Sequence, residues 1–227
     1  MEKWSKISSS TLWFLILGTL MSCEKPKEPE SIDFGYDYLP LEIGNWIEYE
    51  VDSIVFNEFT NSTDTFKFKL RESCEQIITD LEGRTVYRFE RSKRSLDSSD
   101  YIFQYSYVVL IDELRAEKVV DNIKTTILTF PPNEESEWDA NAFNAMPEHS
   151  FYFKDVGDPF FVDELLFNET LLVIQDDDTT NFIFKSFSQE RYAKDVGLIF
   201  KEYFDIETQL EIDSGLHWIQ KLSDYKR

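Results

Sequence analysis

Apolar and polar residues alternate with a period of two along most of the chain beyond residue 46. Ile47, Tyr49, Val51, Ser53 and Val55 interleave with Glu48, Glu50, Asp52, Ile54 and Phe56, the signature of a strand with one buried face. The next run sets Phe66, Phe68, Leu70 and Cys74 in one phase and Lys67, Lys69, Arg71 and Glu75 in the other. Asp80 to Arg84 reads as a turn, and Thr85 to Glu90 returns as a strand. Tyr101, Phe103, Tyr105, Tyr107, Val109 and Ile111 repeat the alternation. Arg115 to Val120 and Ile123 to Phe130 flank Asp121-Asn122, a two-residue hairpin turn, and Pro131-Pro132 stops the second of them.

Residues 131–149 form the longest irregular stretch. Strands resume over Ser150 to Val156 and Thr170 to Gln175, with Asp176-Asp177-Asp178 expected as the next turn. Residues 160–169 read either way, Asp163 to Phe167 being at most a turn. Phe182 to Tyr192, Leu198 to Phe204 and His217 to Tyr225 bring the total to roughly ten strands, the number at which open sheets curl or close. Helical periodicity is nowhere sustained. The predicted fold is all-β: a single antiparallel, strongly curved sheet or barrel-like domain over residues 37–227, preferred to a two-sheet sandwich.

The N-terminus follows other rules. Lys3 and Lys6 precede an apolar run from Thr11 to Met21, then Leu20-Met21-Ser22-Cys23. The run has the length of a secretion-signal core and is too short to span a bilayer. An aliphatic residue three before the cysteine and a small one just before it resemble the lipobox of bacterial lipoproteins. Residues 1–22 are thus expected to be cleaved, leaving Cys23 as the lipid-carrying first residue. Charges and prolines over Glu24 to Ser31 describe an extended tether, taken here as residues 23–36.

Composition sharpens this picture. Asp and Glu number 44 against 23 Lys and Arg, a net charge of −21; such a surface repels phosphate backbones, so no nucleic-acid partner is expected. Arg88, Arg91, Lys93 and Arg94 form the one cationic run. With 16% aromatic residues, the chain is too apolar to be disordered. Of its two cysteines, Cys74 has no partner once Cys23 carries lipid and is expected to be a buried structural thiol.

Catalytic signatures are sparse. No glycine-rich phosphate loop and no Gly-x-Ser-x-Gly elbow occurs. Of two histidines, His149 is expected in a solvated loop and His217 at a strand edge. No His/Cys cluster suits zinc, and Asp176 to Asp178 lacks the spacing of a calcium loop. No catalytic, cofactor or metal residue is assigned, and a non-enzymatic role is expected. Trp138, Phe143 and Met146 could line an apolar mouth at the sheet end, or simply plug the core; Phe160-Phe161 poses the same choice.

Leu39-Pro40-Leu41-Glu42-Ile43-Gly44-Asn45-Trp46-Ile47-Glu48-Tyr49, Trp138 to Asn144 and Tyr192 to Ile199 resemble segments of a family of small Bacteroidota lipoproteins. Asp195 stands where that pattern often has glycine. The resemblance implies a lipid-anchored, all-β envelope protein and no particular reaction. The expected role is a non-catalytic binding or structural module of the cell envelope, on the outer membrane. Its partners would be the membrane, through Cys23, and an apolar ligand or an envelope protein. The alternatives are a lipid or lipoprotein carrier or acceptor with an apolar cavity, and a hydrolase using unidentified carboxylates.

Overall fold

A computed structural model describes residues 32–227. The expected signal, Cys23 and most of the tether lie outside them. Among the described residues, twelve strands form one antiparallel sheet: β1 (Trp46–Asn57), β2 (Ser62–Thr79), β3 (Thr85–Ser95), β4 (Ile102–Ile111), β5 (Arg115–Val120), β6 (Ile123–Thr129), β7 (Glu137–Asp139), β8 (Ser150–Val162), β9 (Leu165–Asp178), β10 (Phe184–Ala193), β11 (Gly197–Gln209) and β12 (Ile212–Lys226). The spatial order is β6-β5-β4-β3-β2-β1-β12-β11-β10-β9-β8-β7. Each strand lies beside its sequence neighbours, and β1 pairs with β12. Only β6 and β7 lack a ladder between them, so the sheet is a nearly closed barrel with one seam.

The alternation fixes which face turns inward. Tyr49 pairs with Leu70 and Leu222, and Val51 with Phe68 and Gln220; all six side chains are buried. Their neighbours Glu50, Lys67 and Lys69 form the opposite face, where Lys67 pairs with Asp52 at 2.7 Å. An apolar inside and a charged outside reverse the pattern of a lipid-facing barrel. Outside, Glu48 gathers Lys69 (2.9 Å), Arg71 (3.0 Å) and the Tyr101 hydroxyl. Arg71 is stacked between Trp46 and Tyr101 at 4.5 and 4.4 Å. This cluster pins the β3–β4 connection against the sheet.

Several elements depart from the sequence reading. Residues 160–169 are strand, the ends of β8 and β9, joined by a tight turn at Asp163-Glu164. Phe160 packs on Phe200 at 5.9 Å and Asp163 pairs with Lys221 at 2.8 Å, which lays this hairpin over the outer face of β11 and β12. Asp176 to Asp178 continue β9 rather than turning, because they pair with Ser186, Phe187 and Ser188 of β10. The irregular stretch 131–149 contains the short β7. Residues 33–36, assigned to the tether, lie against the body: Asp33 pairs with Lys194 at 2.8 Å and Tyr36 meets Phe130 edge-on at 4.9 Å.

Candidate functional site in the barrel interior

The period that builds the core also carries charge into it. Glu72 shares the inward phase of Phe68, Leu70 and Cys74, and sits directly across from Arg91 on β3. Their ion pair closes at 2.6 Å, with Arg91 Nε donating to the same oxygen at 2.7 Å. On the other side of the barrel Glu190 faces Lys201 across β10–β11, paired at 2.7 Å, and accepts a hydrogen bond from Tyr192 Oη at 2.6 Å. Lys118 of β5, opposite Val109 of β4, completes the set. Its ammonium lies 4.0 Å from the centre of the Tyr107 ring. Among the described residues, no carboxylate comes within 4 Å of it, whereas Arg91 and Lys201 each hold one.

These charges perturb one another in consistent directions. Burial alone would raise the Glu72 carboxyl, but the Arg91 and Lys118 charges and the Arg91 hydrogen bond hold it at about 2. Glu190 is also lowered: burial opposes ionisation, and the charge and hydrogen bond of Lys201 outweigh it. Lys201 is raised, its burial offset by Glu190. Burial pushes Lys118 below the ordinary lysine value, Glu72 offsets this only in part, and Arg91 adds to it. Tyr49, Tyr107 and Tyr192 are held well above the usual phenol range, first by burial and then by the nearby glutamates. They therefore stay neutral, as donors and as aromatic walls.

This layer of charge divides two chambers. One, of about 100 Å³, runs toward the end of the barrel where β1 starts. Its walls include Leu39, Ile47, Phe89, Val109, Ile127 and Leu198, and Glu72, Lys118 and Glu190 form its floor. The other, of about 350 Å³, is more open and lies toward the β5–β6 hairpin, with Val120, Ile123, Phe151, Gln175 and Lys201 around it. Lys118, Ile127 and Glu190 border both. Gln220, fully buried beside Lys201 in the ladder, has neither amide atom hydrogen-bonded to protein. An apolar chamber with a few converging polar groups is the usual form of a small-molecule site.

The residues singled out from sequence lie elsewhere. Trp138 sits in the seam: its indole N–H donates to the Thr126 carbonyl at 3.0 Å, and its ring packs on Phe153 at 4.7 Å. Thr126 N–H bonds to the Ala140 carbonyl at 2.9 Å, and the Asn144 amide to the Lys124 carbonyl at 2.7 Å. Phe143 lies under the Arg115 guanidinium at 4.2 Å, and Met146 is half-exposed. None of the three borders either chamber. Phe160 lies on the outer face beneath Arg191 at 4.3 Å, with Phe161 exposed.

Cys74 is buried, and burial pushes its thiol up to about 11. His149 is exposed, its ring edge-on to Phe151. His217 is not at a strand edge, because β12 is flanked on both sides; it meets Glu202 at 2.9 Å. Asp195 takes the left-handed conformation, φ 60°, that glycine would suit, and its N–H donates to the Asp37 carbonyl at 2.7 Å. Glu72, Arg91, Lys118, Glu190 and Lys201 are not among the site residues that the sequence predicts. The signal available was the occurrence of charges at positions whose phase is otherwise apolar.

No family model matches the chain, and no curated protein matches it. Among solved structures it is similar to an inferred exported protein with a YmcC-like fold from Bacteroides fragilis. The identity is 9% and the TM-score 0.45, over 83% of this chain and 98% of that one. It is similar also to an inferred lipoprotein from Parabacteroides distasonis, with 9% identity and a TM-score of 0.41, over 87% of this chain and all of the other.

Proposed function

We propose that the chain is a lipid-anchored module of the cell envelope, attached to the outer membrane through Cys23, that holds a small ligand inside its barrel without transforming it. The observation that carries this reading is the apolar chamber floored by charged groups. A barrel serving only as a scaffold gains nothing from charges at its waist, since apolar residues of similar volume would serve at least as well. The anchor rests on the lipobox-like segment before Cys23.

The non-catalytic part of the proposal has its own support. A hydrolase of the two-carboxylate kind needs one carboxylic acid that stays protonated near neutrality. Glu72 and Glu190 are both displaced the other way, each by its own cation. They are built to remain charged.

Native mass spectrometry of the protein extracted from its own membranes tests the binding reading. The expected spectrum carries, beside the acylated chain, a second species heavier by one small molecule. A spectrum of the acylated chain alone, under conditions gentle enough to keep other lipoprotein ligands bound, would count against it. Cys23→Ser is expected to move the protein from the membrane to the soluble fraction.

A further inference from the structure

We propose that Lys118 is the anchor for the anionic head of the ligand, a small amphiphile with one carboxylate or phosphate and a short apolar tail lodged in the smaller, apolar chamber. This deepens the binding reading above and rests on it.

Three observations converge. The first is a charge count at the waist: Arg91, Lys118 and Lys201 face Glu72 and Glu190, and both carboxylates are already engaged at 2.6 and 2.7 Å by Arg91 and Lys201. One positive charge is left, and it sits on Lys118. Lys118 is half-buried; an ammonium drawn partly out of bulk water is costly unless an anion meets it, and the face of Tyr107 at 4.0 Å compensates only in part. In a chain whose net charge is −21, an uncompensated interior cation runs against the overall balance.

The second observation is position. Lys118 borders both chambers, so an anion bound to it need not enter the apolar one. The head can remain on the more open side with Lys201 and Gln175 nearby, while the tail passes Ile127 into the smaller, more apolar side. The third is size. A chamber of about 100 Å³ is smaller than the roughly 150 Å³ cavity that takes a single benzene ring. It suits a short acyl or small branched group rather than a full-length lipid tail.

Pentanoate, butyl phosphate and butan-1-ol share a butyl tail short enough for the chamber and differ in the head, and calorimetric titration of the full-length chain with each separates the contribution of the head from that of the tail. The expected result is that pentanoate or butyl phosphate binds at least about tenfold tighter than butan-1-ol. The tighter of the two anions tells a carboxylate ligand from a phosphate one. In Lys118→Met, which keeps the length of the side chain, the anion and the alcohol should come within about threefold of each other. Lys118→Arg should restore the preference, showing that the Met variant lost a charge and not its fold. Equal binding of anion and alcohol to the unaltered chain would overturn the role of Lys118 while leaving the chamber as a binding site. Failure of all three to bind would remove the binding reading and this inference together.

Discussion

Glu72 stands in a strand phase otherwise held by Phe68, Leu70 and Cys74, and its environment turns that placement into a pH dependence. Its carboxyl titrates near 4.5 when exposed and is held at about 2 in the folded chain. A depressed folded value means the stabilisation is complete above the unfolded value and is lost as pH falls from about 4.5 toward 2. The shift corresponds to about 3 kcal/mol. Urea midpoints measured from pH 6 to pH 2 should therefore fall steeply below pH 4.5. Glu72→Gln should be weaker by about 3 kcal/mol at neutral pH, because Arg91 is left buried without its partner, and its midpoint should fall less on acidification. An unchanged acid slope in that variant would show that Glu72 is not coupled to folding. This residue also marks how far the site was legible. The positions of Glu72, Lys118, Glu190 and Lys201 in the alternation predict an inward direction, but strand phase says nothing about which strands meet across a barrel. Glu190 and Lys201 become partners through the β10–β11 register; the isolation of Lys118 emerges only when the whole wall is assembled.

Strands with unbroken alternation form where the sequence predicts them, and the differences gather at bulges and unusual turns. Tyr101, Phe103, Tyr105 and Tyr107 look like one face in the sequence. A register shift opposite Arg91 and Ser92 instead sends Tyr105 and Tyr107 inward and Tyr101 outward to Glu48. The irregularity leaves no local composition signal, since Gln104 is an ordinary strand residue. The hairpin at Asp121-Asn122 was legible because both residues tolerate positive φ, here 49° and 64°. The β11–β12 turn uses the same geometry, φ 50° and 66°, with Leu210 and Glu211, residues that pay a steric penalty there. Replacing them by Asn and Gly should stabilise the protein by about 1 kcal/mol and raise Tm by about 2–4 °C. In the same hairpin Gly215→Ala should have the opposite sign, a loss of about 2–3 kcal/mol, because a Cβ would lie 2.0 Å from the Asp205 carbonyl oxygen and φ is 140°. Thermal unfolding of the two variants checks both.

At the scale of the molecule, the strand order is a complete ring broken at one place. The segment from Trp138 to Asn144 spans that break with hydrogen bonds to Thr126 and Lys124. Its sequence, rich in Asn and Ala around one Trp, suggests a loop; its work as a closure depends on the approach of β6, a contact that no local pattern encodes. Trp138→Phe keeps the packing on Phe153 and removes the indole donor. It should cost about 1 kcal/mol, and amide exchange should quicken in β6 more than in β1 or β12. A closed wall matters because the apolar chamber keeps its side walls only if the ring does not open beside it. The most direct test of the binding reading is the nuclear Overhauser contacts of pentanoate with a methyl-labelled full-length chain. The chamber reading predicts contacts from the ligand's methylenes to the methyls of Val109, Ile127 and Leu198, which line its apolar wall. Contacts confined to exposed side chains such as Leu81 and Leu210, with those three methyls silent, would contradict it.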